Sequence, residues 1–183
     1  MIKFFPPRKW KPTQLLKCRV LYIADAVLEQ AVKWSSSLSL LLSGGDDQRL
    51  CLWSKGGDLT SSCKDFEGGV TRIELVGDDT DDVIVGSYDQ SLTRFSFSGQ
   101  TLSAIWKVDV GGGVWRVAIR GNLALVAAMY GGSVVVDVSA GGATVGDRFK
   151  VHESMVYGAQ WMGGGGGGLK ATCSFYDKLV CVW

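Results

Sequence analysis

Ser43-Gly44-Gly45-Asp46-Asp47-Gln48-Arg49-Leu50-Cys51-Leu52-Trp53 is the stretch on which the architecture turns. It reads as the small-residue end of one strand, an acidic turn, and an alternating strand that closes on an aromatic residue. The same order returns as Val85-Gly86-Ser87-Tyr88-Asp89-Gln90-Ser91-Leu92-Thr93-Arg94-Phe95 and as Thr172-Cys173-Ser174-Phe175-Tyr176-Asp177-Lys178-Leu179-Val180-Cys181-Val182-Trp183. In each copy the turn Asp (Asp47, Asp89, Asp177) stands six positions before the aromatic. A weaker copy, Ala127 to Asp137, has Gly131 in the Asp place and Asp137 in the aromatic place.

Working outward, the turn positions 47, 89, 131 and 177 are 42, 42 and 46 residues apart. A period of roughly 40–45 residues built of short strands is that of a propeller blade. Each later copy also has an upstream strand: Val70 to Leu75, Val114 to Ile119 and Val156 to Trp161. Short β-rich runs broken by Gly, Asp and Ser, with almost no helical periodicity, predict an all-β chain of four recognisable blades. Rings of this kind have about seven blades, so four would form an incomplete ring. The expected organisation is a basic leader over 1–30 and propeller blades over 31–183, with a glycine-rich loop at 163–168.

The spacing resembles the WD-repeat pattern, in which the turn Asp closes the connection between second and third strands and the Trp ends the third. That resemblance gives Asp47, Asp89, Asp177, Trp53 and Trp183 structural roles. It also implies a hydrogen-bonded chain in the last unit, from His152 through Thr172 or Ser174 to Asp177 and Trp183.

Composition narrows the function classes. With 19 Lys and Arg against 18 Asp and Glu, charge does not call for nucleic acid or an anionic membrane. No run of 18 apolar residues occurs, so a spanning helix is not expected and the expected location is the cytoplasm. Six basic residues lie between Lys3 and Arg19, but Pro6, Pro7 and Pro12 spoil the amphipathic helix a transit peptide would need. Five cysteines without a C-x-x-C pair point to reduced thiols; neither a metal site nor a cofactor is expected.

The words between the copies are more specific. Gly111-Gly112-Gly113-Val114-Trp115-Arg116, His152-Glu153-Ser154-Met155-Val156-Tyr157-Gly158-Ala159 and Ala171-Thr172-Cys173-Ser174-Phe175-Tyr176-Asp177 resemble the diphthine methyl esterases of diphthamide biosynthesis. So do Ser43 to Asp47, Gly86 to Asp89 and Ala127 to Met129, in the family's order. The resemblance implies hydrolysis of the methyl ester of diphthine, a modified histidine on translation elongation factor 2, with that factor as partner. The alternative is a non-catalytic scaffold that binds a protein or peptide across the same face.

Ester hydrolysis needs a nucleophile, a base and donors for an oxyanion. With one histidine in the chain, a His-dependent mechanism has only His152, beside Glu153 and Ser154. Asp89, Asp177 and Ser174 are further candidates for base or nucleophile. A separate pattern lies in the aromatics: Tyr88, Tyr130 and Tyr176 each precede a turn position, while Trp115 and Tyr157 stand second in their upstream strands. In a propeller these positions share one face near the channel, where exposed aromatics anchor protein partners. They can equally surround a quaternary ammonium such as that of diphthine.

Overall fold

In the computed structural model, which describes residues 29–77, 82–99, 101–163 and 168–183, strands follow one another as successive antiparallel meanders. Blade I comprises β1 (Glu29–Ser35), β2 (Leu40–Gly45), β3 (Leu50–Ser54) and β4 (Leu59–Cys63). Blade II comprises β5 (Val70–Leu75), β6 (Val83–Ser87), β7 (Ser91–Ser98) and β8 (Thr101–Asp109). Blade III comprises β9 (Val114–Arg120), β10 (Leu123–Ala128), β11 (Gly132–Asp137) and β12 (Thr144–Phe149). Blade IV has β13 (Gly158–Trp161), β14 (Lys170–Cys173) and β15 (Val180–Val182). The basic leader falls outside the described residues apart from Glu29 and Gln30, as does most of the glycine-rich loop.

The second strands of blades I, II and III are buried almost throughout, whereas β14 of blade IV is mostly half-buried. Strand alternation then sends successive side chains to different cores. Val83 and Val85 face a cluster shared with blade I, which includes Leu42, Leu50, Val70 and Phe95. Ile84 faces the opposite way, into a cluster shared with blade III that includes Val114, Val117 and Val126. Leu125 and Ala127 pack on Val156 and Ala159 of the blade IV segment. Burying each such Val, Leu or Ile is worth about 2 kcal/mol, and here that stabilisation is spent joining blades.

Two glycines set how closely blades approach. A Cβ on Gly44 would lie 2.3 Å from Val70 Cγ1, and one on Gly86 would lie 2.3 Å from Val114 Cγ1. The first valine of blade II and that of blade III thus each seat against a glycine of the blade before. Polar ties reinforce these joints. The Thr71 hydroxyl lies 3.1 Å from the Gly86 carbonyl and 2.5 Å from the Val114 carbonyl, bridging blades II and III. Trp106 donates its indole N–H to the Ser139 carbonyl at 2.9 Å, and Trp161 does the same to the Ala118 carbonyl at 2.9 Å. The nearly buried Arg94 pairs with Asp82 and also donates to the Val138 carbonyl.

The turn residues act as the repeat requires. Asp47, Asp89 and Asp177 each accept the backbone N–H two residues on, at 3.1, 2.9 and 2.9 Å. The residue after each turn position is left-handed: Gln48, Gln90, Gly132 and Lys178. In blade III the Asp is replaced because position 131 is crowded: a Cβ there would meet the Gly111 carbonyl at 2.8 Å. Asp137, in the aromatic place, caps a different turn by accepting from the Ser139 hydroxyl and N–H. Those two bonds, the hydroxyl's first, hold its carboxyl below the usual range.

The aromatics close the blades in different ways. Trp53 is buried and donates its indole N–H to Ser43 across the hairpin at 2.9 Å, while Phe95 packs at 6.0 Å from Phe66. Trp183 stacks on Phe149 of blade III, ring centroids 3.6 Å apart, with the Lys170 ammonium above it. The upstream strand predicted to begin at Val156 begins instead at Gly158. Val156 is fully buried in the inter-blade cluster, and the ladder starts with the Tyr157 N–H donating to Cys173.

Candidate functional site

The loops leading into β5, β9 and β13 lie against the turns between second and third strands. Tyr88 N–H donates to the Gly69 carbonyl at 2.9 Å, and Met129 N–H to the Gly113 carbonyl at 2.7 Å. This juxtaposition brings the predicted aromatics onto one face. Tyr88 and Trp115 have ring centroids 6.1 Å apart, Trp115 and Tyr157 meet edge-on at 5.4 Å, and Tyr157 and Tyr176 are 6.0 Å apart. Phe175, which sequence reasoning did not single out, extends the row at 5.5 Å from Tyr176. The row therefore crosses blades II, III and IV, with one ring each from blades II and III and three from blade IV.

Tyr130 stands beside the row rather than in it. It is 76% exposed with a left-handed backbone, and makes no ring contact among the described residues. Its phenol is still close enough to act on Tyr157. The Tyr157 hydroxyl is held protonated above the ordinary phenol range by its hydrogen bond with Tyr176, then by desolvation and by the phenols of Tyr176, Tyr130 and Tyr88.

His152 is placed differently from what a catalytic trio needs. Its side chain is fully enclosed; Nδ1 lies 2.8 Å from Asp177 Oδ2 and Nε2 lies 3.0 Å from Thr172 Oγ1. With both ring nitrogens engaged, the structure does not join His152 to Ser154 or Glu153 side chains. Burial opposes the charge on Asp177, but the Leu179 N–H, His152 and the Glu153 N–H outweigh it and lower its pKa. Three members of the predicted blade IV chain thus connect. The fourth does not: Trp183 Nε1 and Ser174 Oγ are buried without a partner.

Asp89 has its own set of donors. Burial works against its charge, yet Ser91, whose N–H donates to it, the Glu67 N–H and Lys107 bring its pKa down to about 2. A carboxylate held this firmly is a poor general base near neutrality. Among the described residues no three His, Cys, Asp or Glu side chains gather as a metal-binding group.

Between the inner strands lies a polar hollow of about 220 Å³ lined by Thr71, Arg72, Trp115, Arg116 and Tyr157. These are the second and third residues of β5 and β9, with the matching Tyr157 before β13. Register shifts at Val70/Arg72 and Ala127/Ala128 let consecutive residues of a strand reach one cavity. Sequence reasoning missed the two arginines, although their shared place after Val-Thr and Val-Trp was a usable signal. A larger hollow, about 470 Å³, lies along the blade IV hairpin from Cys173 to Val180. Size favours it, but it touches the row only through Phe175 and Tyr176, so the smaller, converging hollow is the better candidate.

An arc of antiparallel meanders, three of four strands and one of three among the described residues, with Asp-closed turns in three of them and an aromatic row on one face, defines a WD-repeat β-propeller, here a partial one. The solved WD40 propeller domain of Doa1 superposes with a TM-score of 0.65 at 20% identity, over 85% of this chain and 50% of that one. Over 79% of its length the chain is homologous to the diphthine methyltransferase family. The Schizosaccharomyces pombe diphthine methyltransferase is 31% identical over 158 residues, covering 79% of this chain and 47% of the relative. The Saccharomyces cerevisiae diphthine methyltransferase is 28% identical over 180 residues, covering 79% and 44%. The chain spans about half the length of these relatives. No protein-family model matches it.

Proposed function

We propose that this chain acts in diphthamide biosynthesis, in hydrolysis of the methyl ester of diphthine on translation elongation factor 2. Water adds to the ester carbonyl, methanol leaves, and a free carboxylate remains on the modified histidine. Homology to the diphthine methyltransferases carries the reading. The aromatic face supports it, because tilted and edge-on rings with centroids 5.4–6.1 Å apart offer a surface for the trimethylammonium group that diphthine bears. In this reading Tyr88, Trp115, Tyr157 and Tyr176 hold the cation, with Tyr130 at the margin. His152 braces the blade that carries Tyr157 and Tyr176.

The test is to incubate the purified protein with methylated diphthine on elongation factor 2 and follow the modified peptide by mass spectrometry. Loss of one methylene mass is expected. Trp115→Ala should raise KM at least about threefold, the loss of one cation–π contact. Unchanged KM would remove the aromatic face from the reading. A second reading, a scaffold that binds a protein across this face, draws on the engagement of both His152 nitrogens within the blade. Folded protein that binds the factor and leaves its mass unchanged would select it.

A further inference from the structure

The hollow beside the aromatic row holds a positive charge that the fold does not use. Arg72 donates to Glu74, which also accepts from Lys33 at 2.6 Å, so one carboxylate faces two cations. Arg72 Nε is buried without a partner. Arg116, half-buried on the neighbouring strand, has no ion pair or hydrogen bond among the described residues. Among the described residues, the lining of the hollow contains no acidic side chain. Two arginines thus line a space of about 220 Å³ together with Trp115, Tyr157 and Thr71, whose hydroxyl is turned to the Gly86 and Val114 carbonyls.

Holding like charges together in a partly desolvated space is unfavourable unless an anion completes it. A guanidinium fork fits a carboxylate or phosphate through paired, charge-assisted hydrogen bonds. The volume suits one such group with a short stem rather than a run of polyanion. The position is fixed by scaffold, since both arginines sit third in adjacent inner strands and Thr71 ties those strands together.

We propose that Arg116, assisted by Arg72, forms an anion subsite that takes an acidic group on a bound polypeptide, carboxylate or phosphate, beside the aromatic row. The subsite follows from charge and shape alone and does not depend on the ester chemistry above. It gives the face a second, opposite preference: rings for a cation or flat apolar group, and the arginines for the anion next to it.

The experiment titrates the full chain with Ac-Gly-Glu-Gly-NH2, its uncharged isostere Ac-Gly-Gln-Gly-NH2, and Ac-Gly-phosphoSer-Gly-NH2. Binding is followed by NMR at the indole and guanidinium N–H signals. The Glu peptide should bind at least about tenfold more tightly than the Gln peptide, as a charge-assisted pair implies. Arg116→Ala and Arg116→Gln should each abolish that difference, and Arg116→Lys should keep part of it by retaining charge without the fork. Phosphoserine binding more tightly than Glu identifies phosphate as the preferred anion; the reverse identifies carboxylate. Equal affinity for the Glu and Gln peptides, with no response to phosphoserine, would overturn the proposal. So would a Glu preference that survives in folded Arg116→Ala, with folding checked by its melting temperature.

Discussion

Replacing His152 by Ala separates bracing from catalysis. The ring is fully enclosed and bonds at both ends, to an ionised Asp177 at 2.8 Å and to Thr172 at 3.0 Å. A hydrogen bond to a charged group contributes about 1.5–3 kcal/mol and a neutral one about 0.5–1.5 kcal/mol. Their sum centres near about 3 kcal/mol, before any cost of the space the ring leaves. With a urea slope of about 2 kcal/mol/M, the unfolding midpoint should fall by about 1.5 M. Tryptophan fluorescence reads that transition, because Trp161 and Trp183 lie in the same blade. Asp177→Asn should cost less, since an amide oxygen still accepts from Leu179, and the double variant should cost less than the two single losses together. An unchanged midpoint in His152→Ala would refute the bracing argument. Fully lost ester hydrolysis at an unchanged midpoint would instead make His152 a reacting group.

Other expectations follow from the inter-blade ties. Gly86→Ala should lower stability by about 1–3 kcal/mol, since the new methyl would lie 2.3 Å from Val114 Cγ1, and Val114→Ala should relieve part of that loss in the double variant; additive urea midpoints would contradict it. Arg94→Ala leaves Asp82 and the Val138 carbonyl without their donor and should cost about 3 kcal/mol by thermal melting. Asp89 has a folded pKa lowered from 3.8 to about 2. Its contribution is therefore full above about pH 4 and lost as pH falls through about 2. Comparing wild type with Asp89→Asn should show an excess of about 1 kcal/mol at pH 6, after allowance for solvent around Lys107, shrinking toward zero at pH 2.

The parts of the fold readable in sequence were those under steric compulsion. The second strands, the Asp turns and the aromatic ends recur because the inner strands pack between blades and the turn permits few residues. The outer strands β4, β8 and β12 escaped notice: Leu-Thr-Ser-Ser-Cys and Thr-Val-Gly-Asp-Arg-Phe lie at the exposed rim, where no burial disciplines their pattern. The convergence of Tyr88, Trp115, Tyr157 and Tyr176 was legible because one period placed all four. Arg72 and Arg116 were not, since an arginine in a strand ordinarily reads as its wet side. Only the register shifts beside them turn that side inward. The break at Trp183 was also hidden: six residues after an Asp is necessary for the indole to reach the blade's hydroxyl, but stacking on Phe149 decides where it points.

The seat of Val114 on Gly86 lies two residues from Tyr88 and one from Trp115. It therefore works as a spacer whose thickness is a single side chain. Exchanging the residues at that seat would pivot one blade against the next and alter the gap between the two rings, with no ring replaced. A lineage could in this way retune what the face accepts by small changes in its hinges, leaving every residue that touches the ligand intact.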